Sequence, residues 1–126
     1  MVAAMTTSTP STTIDGVALR QAVRSRDVEA LTRLYADDAT IEIVDAGHPP
    51  ATPLRLRGSE QIGARLRDVY EREMTHEVDL VAIGADALAY TVRCTYPDGG
   101  RVVCSATAEV AGGRITREVV LQVWDS

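Results

Sequence analysis

The chain has 126 residues, 45% hydrophobic and 25% charged, and its 13 basic against 18 acidic residues give a formal net charge of −5. That length allows one domain with a core of its own. The acidic balance excludes generic binding to nucleic-acid backbones and docking on anionic membranes. No apolar run approaches the roughly 20 residues of a membrane span. Two cysteines do not make a disulfide framework.

Residues 1–13, MVAAMTTSTPSTT, hold no basic residue and no apolar segment, so they read as a disordered leader and not as a secretory signal. Met5 is an alternative start, and the cytoplasm is the default location. Residues 14–126 make the single domain. Asp15 caps a first helix near residues 16–25, with Val17, Ala18, Ala22 and Val23 as its apolar side. Asp27 caps a second, along which Val28, Leu31, Leu34 and Tyr35 recur at helical spacing. Asp37 and Asp38 end it as turn and cap residues, and TIEIV is the first strand. Residues 46–53 hold three of the five prolines and form a loop that leaves His48 exposed. LRLR makes a short strand. Ser59 caps a third helix whose apolar face is Ile62, Leu66, Val69 and Tyr70.

After Met74 come four alternating segments separated by GAD, PDGG and AGG, the glycine-bearing loops of hairpins. The layout is α+β, with three helices of the N-terminal half covering one face of an antiparallel sheet. A three-residue loop at Asp98, Gly99 and Gly100 sets Cys94 against Cys104, Val92 against Ala106 and Tyr90 against Ala108. One face of this hairpin is then almost wholly apolar and must be covered by helices. Its small side chains leave room for a ligand or for large side chains from the helices.

Three residues carry candidate chemistry. Alternation puts His76 on the core side with Val78, Leu80 and Ala82, at the pocket end, where a neutral imidazole can act as acid or base; a histidine exposed at the strand start is the competing reading. Glu118 depends on register. A three-residue loop at Ala111 to Gly113 sets it beside Ala106 inside the pocket, where desolvation raises its pKa. The other register exposes it and buries Ile115, Val119, Leu121 and Val123, and the hydrophobic pattern favours that one. Tyr35, Tyr70 and Tyr90 are the pocket hydroxyls, Tyr90 the preferred donor, and Trp124 closes one end. Cys94 and Cys104 read as small reduced core residues. No spacing marks a metal site, a phosphate loop or a serine elbow.

RDVEALTRLYADDATIEI resembles the signature of the nuclear transport factor 2-like superfamily, and the similarity continues through LRGSEQI, ALAYTVRCTY and GGRI. Its members include SnoaL-like polyketide cyclases, limonene epoxide hydrolase and ketosteroid isomerase, alongside pure binding domains. The resemblance implies a cystatin-like α+β barrel, a curved antiparallel sheet wrapped by three helices of the N-terminal half into a cone with an apolar pocket, walled here by Leu19, Tyr35 and Ile43, by Leu66 and Tyr70, and by Val92, Cys94, Cys104 and Ala106. It also implies a hydrophobic small-molecule partner, no cofactor, and a homodimer through the outer sheet face, where Glu77, Asp79, Arg93, Arg101 and Arg117 can pair between copies. YADDATIE and AYTV look nearest to ketosteroid isomerase, whose aspartate base, tyrosine donor and protonated aspartate align with Ile43, Leu19 and Ala106. None of these can accept or donate a proton, so that steroid mechanism is rejected while the pocket is kept. Two functions remain: a cofactor-independent isomerase, cyclase or dehydratase acting on a polyketide, terpenoid or steroid-like substrate, or a non-catalytic binding or dimerisation domain.

Overall fold

The computed structural model describes residues 13–125; the expected leader lies outside them but for Thr13. Helix α1, Gly16–Ser25, starts where the Asp15 carboxylate accepts from the Val17 and Ala18 amides. It buries Leu19, Ala22 and Val23, while Val17 faces solvent, so the apolar side is turned from the expected one. The helix ends at Arg26 in the left-handed region (φ 57°), whose amide closes on Ala22 and Val23. Helix α2, Val28–Arg33, is capped by Asp27 as expected but runs only six residues.

Tyr35 therefore belongs to strand β1, Tyr35–Val44, and not to a helix. Asp37 and Asp38 are exposed residues of an irregular stretch of that strand, not helix caps. Across the proline loop, His48 is half-exposed and its Nδ1 lies 2.9 Å from the Asp45 carboxylate. Strand β2, Leu54–Arg57, leads directly into α3, Gly58–Tyr70. Gly58 adopts φ 85° to make that junction. The N-cap is Arg57 and not Ser59; its backbone N–H donates to Gln61 Oε1 at 2.8 Å.

Strands β3, Thr75–Ile83, β4, Ala87–Thr95, β5, Arg101–Ala111, and β6, Arg114–Trp124, form the expected meander. The six strands lie in the order β2-β1-β6-β5-β4-β3, and every pair is antiparallel except β1 with β6. The sheet is thus mixed: β1 and β6 enter from opposite ends of the chain and run the same way. It curves without closing. Helix α1 covers the edge strand β3, where Arg20 donates to the Val78 and Asp79 carbonyls at 2.7 and 3.2 Å. Helix α3 lies over β1 and β2.

Two hairpins correct the expected registers. In β4–β5 the loop is Pro97, Asp98 and Gly99, with a turn closed by the Gly99 amide on Tyr96 (2.9 Å) and Gly99 at φ 91°. The register moves by two, pairing Cys94 with Val102, Val92 with Cys104 and Tyr90 with Ala106. An even shift keeps each side chain on its face, so the apolar face stands as expected. In β5–β6 the loop is Gly112 and Gly113 alone, both at positive φ. Beyond it a bulge at Thr116 puts Glu118 opposite Ala108. The extra residue resets the alternation, so Ile115 and Glu118, three apart, both point inward.

Another bulge, between Val78 and Val81 of β3, sends Leu80 and Ala82 outward while His76 and Val78 stay inside. On the outer sheet face the charges expected to pair between copies are mostly taken within the chain. Arg24 holds Glu77, Arg93 holds Asp79 and Arg101 holds Asp125. What that face leaves bare is apolar, with Leu121 48% and Val123 67% exposed.

Candidate active site

The concave face of the sheet and α3 enclose a cavity of about 90 Å³. Of the residues expected in its wall, Tyr35, Ile43, Leu66, Tyr70, Val92, Cys94, Cys104 and Ala106 line it, together with His76, Tyr90 and Glu118. Leu19 and Trp124 do not. Leu19 is buried in the core on α1, which packs against β3 and away from α3's side of the cone. Trp124 pairs with Val102 at the far end of β6, 39% exposed, and borders a separate surface groove. The sequence reading missed Ile41, Arg65, Val69, Val120 and Gln122. Gln122 was findable, since it lies four residues beyond Glu118 and must share its face.

Glu118 is 2% exposed. Both its carboxyl oxygens are held: Tyr35 Oη donates to Oε1 at 2.7 Å and Tyr90 Oη to Oε2 at 3.0 Å. Each group arrives on a different element. Tyr35 opens β1 beside Ile115, Tyr90 stands on β4, and Glu118 reaches them because Ala106 and Ala108 leave space between β4 and β6. Burial raises the Glu118 pKa above the usual carboxylate range, and the two phenol hydrogen bonds oppose that rise without cancelling it. The phenols in turn are pushed well above their ordinary pKa, first by burial and then by the Glu118 charge. They are therefore donors and not phenolates at neutral pH.

The other end is built differently. His76, 2% exposed, begins β3 opposite Cys94, and its Nδ1 lies 3.2 Å from Cys94 Sγ. The Tyr70 ring packs on the imidazole at 4.4 Å between centroids. Burial, helped by the Arg26 and Arg72 charges, lowers the His76 pKa to about 4, so the ring is neutral at pH 7. Its Nε2 is buried without a hydrogen-bond partner, as is Gln122 Oε1. Hydrogen bonding to Cys104 and burial hold the Cys94 thiol far above its usual pKa, so it is no ready nucleophile. Among the described residues no three His, Cys, Asp or Glu side chains converge to hold a metal ion.

This geometry sits in a recognised frame. The SnoaL-like domain model matches residues 17–118. The chain belongs to that family. Solved structures agree on the fold. A candidate ketosteroid isomerase from Kribbella flavida DSM 17836 is 21% identical, with a TM-score of 0.69 over 87% of this chain and 74% of its own. A SnoaL-like protein of unknown function from Burkholderia thailandensis E264 is 22% identical, with a TM-score of 0.63 over 87% and 90%. A cystatin-like-fold protein from Silicibacter pomeroyi DSS-3 is 16% identical, with a TM-score of 0.67 over 85% and 72%. No curated protein matches the chain. No helix among the described residues is long and apolar enough to cross a membrane.

Proposed function

We propose that this SnoaL-like domain is a cofactor-independent proton-transfer enzyme, an isomerase, cyclase or dehydratase acting on a hydrophobic oxygenated substrate of polyketide, terpenoid or steroid type. The observation that carries the reading is the Glu118 carboxyl, buried in an apolar wall and held by two phenols. Such a group has its pKa drawn toward neutrality, where it can take a proton from carbon or give one to oxygen. Tyr35 and Tyr90 fix its orientation, and they neutralise part of its charge when it is ionised. At the far end His76 is neutral, and its unpartnered Nε2 can accept from a ligand hydroxyl or, as the other tautomer, donate to a ligand oxygen.

Glu118→Gln keeps the shape and removes the acid. With a substrate class found by a thermal-shift panel of steroids, terpenoids, aromatic polyketides and epoxides, the variant is expected to keep binding and lose turnover by about 10³-fold or more. Full turnover by Glu118→Gln would sink the reading.

The second reading is a non-catalytic binding or dimerisation domain. One observation favours it: about 90 Å³ is well below the roughly 300–1,000 Å³ of ordinary ligand pockets. It predicts no stabilisation by any compound of the panel. Under either reading the bare Leu121 and Val123 face supports a homodimer. Leu121→Glu with Val123→Glu should then sediment as a monomer at concentrations where the wild type is a dimer. A wild-type monomer at micromolar concentration removes the dimer.

A further inference from the structure

All 13 basic residues of this chain are arginines. Six of them pair with carboxylates, and Arg20 and Arg26 donate to backbone carbonyls. Among the described residues Arg33, Arg57, Arg67 and Arg117 have no such side-chain partner and stand exposed in solvent, where water serves them. Arg65 is the exception. It is half-buried on α3 and lines the cavity, with no carboxylate or acceptor in reach among the described residues. None of its nitrogens is among the buried unpartnered atoms, so the guanidinium meets water while lining the cavity, and its donors are free for an incoming anion.

Its position is informative. The Arg65 charge bears on Cys104, whose β6 partner is Gln122. Gln122 Oε1 is the other unpartnered buried atom of this wall. Arg65 and Gln122 both line the cavity, Gln122 opposite Cys104 on the neighbouring strand. Glu118 lies four residues away along β6, roughly 13 Å between Cα atoms. The wall between them is apolar, made by Val92, Ala106 and Val120 with Leu66 and Val69 above.

We infer that Arg65 anchors a ligand carboxylate at this end, so that the substrate class is an apolar oxygenated carboxylic acid, lying with its reactive oxygen function toward Glu118. The planar fork of the guanidinium matches a carboxylate with two parallel hydrogen bonds. A hydroxyl beside that carboxylate donates to Gln122 Oε1. The inference rests on the reading of the cavity as a ligand pocket, but not on Glu118 being catalytic.

Matched pairs test it: cyclohexanepropionic acid and a decalin carboxylic acid, each against its methyl ester, titrated calorimetrically into the full chain at pH 7.5. The acids are expected to bind at least about 10-fold more tightly than the esters, with the gap narrowing as salt rises. Arg65→Met should abolish the gap, and Arg65→Lys should restore part of it. Circular dichroism establishes that both variants fold. Esters that bind as well as acids, or a gap that survives in Arg65→Met, overturn the anchor and leave the pocket standing. Failure of every acid and ester to bind overturns both.

Discussion

The two ends of the cavity solve the burial of a polar group in opposite ways. At one end Glu118 has a donor on each oxygen, and the group is held in place by its own fold. At the other, His76 has one nitrogen against Cys94 and the other without a partner. An unsatisfied buried donor or acceptor costs about 1–3 kcal/mol. The fold therefore completes the hydrogen bonding of its acid and leaves that of its imidazole to something else. A group whose hydrogen bonds are complete is held by the fold alone, while an incomplete one leaves a hydrogen-bonding position open.

The largest expected effect breaks this comparison at the Glu118 end. Glu118→Gln should cost about 10³-fold or more in turnover, whereas His76→Phe, which removes the neutral imidazole, should cost about 10²-fold. Equal losses would mean that the two ends act as one unit. A smaller effect sharpens the Glu118 end alone. Each phenol stabilises the carboxylate form, so Tyr90→Phe should raise the Glu118 pKa further and move the limb of the pH–rate profile that reports it toward higher pH. Turnover at the optimum should fall about 10-fold. A limb that moves toward lower pH would show that Tyr90 stabilises the protonated form instead.

The smallest effect is on stability. His76 takes up its proton near pH 4 in the fold and near 6.5 when unfolded. Between those values the unfolded chain binds more protons, so this contribution is whole above pH 6.5 and is lost as pH falls toward 4. His76→Phe should flatten the Tm-against-pH curve in that window. Glu118 contributes the opposite slope, because a raised carboxylate pKa favours the fold at low pH and weakens it as pH rises. Glu118→Gln should therefore be more stable than wild type at pH 8, by a few degrees, with the gain shrinking toward pH 4.

Much of this architecture was legible in the sequence because it rests on local chemistry. Asp15 and Asp27 announce their helices, and the glycine loops announce the hairpins. The small residues Cys94, Cys104, Ala106 and Ala108 mark a concave face that leaves room. Tyr35 misled because its spacing from Val28, Leu31 and Leu34 fits a helix as well as the strand that tertiary pairing makes of it. Glu118 misled for a deeper reason. Pattern reading assumes one unbroken alternation per strand, and β6 has two, joined at Thr116. Val119, Leu121 and Val123 then look like core residues, although they face the outer side of the sheet. Arg65 was invisible because nothing in a sequence distinguishes a cation with partners from one without.

The bulge at Thr116 has one more consequence. It acts as a frameshift in the pattern of facing: the residues before it and after it are read on opposite parities. Removing one residue from a strand ordinarily inverts everything downstream. Here the deletion of Thr116 itself would bring Ile115 and Arg117 into consecutive pairing with Val110 and Glu109 and leave Glu118 facing inward. The lesion that ruins most strands would, at this one position, make β6 regular and spare the acid.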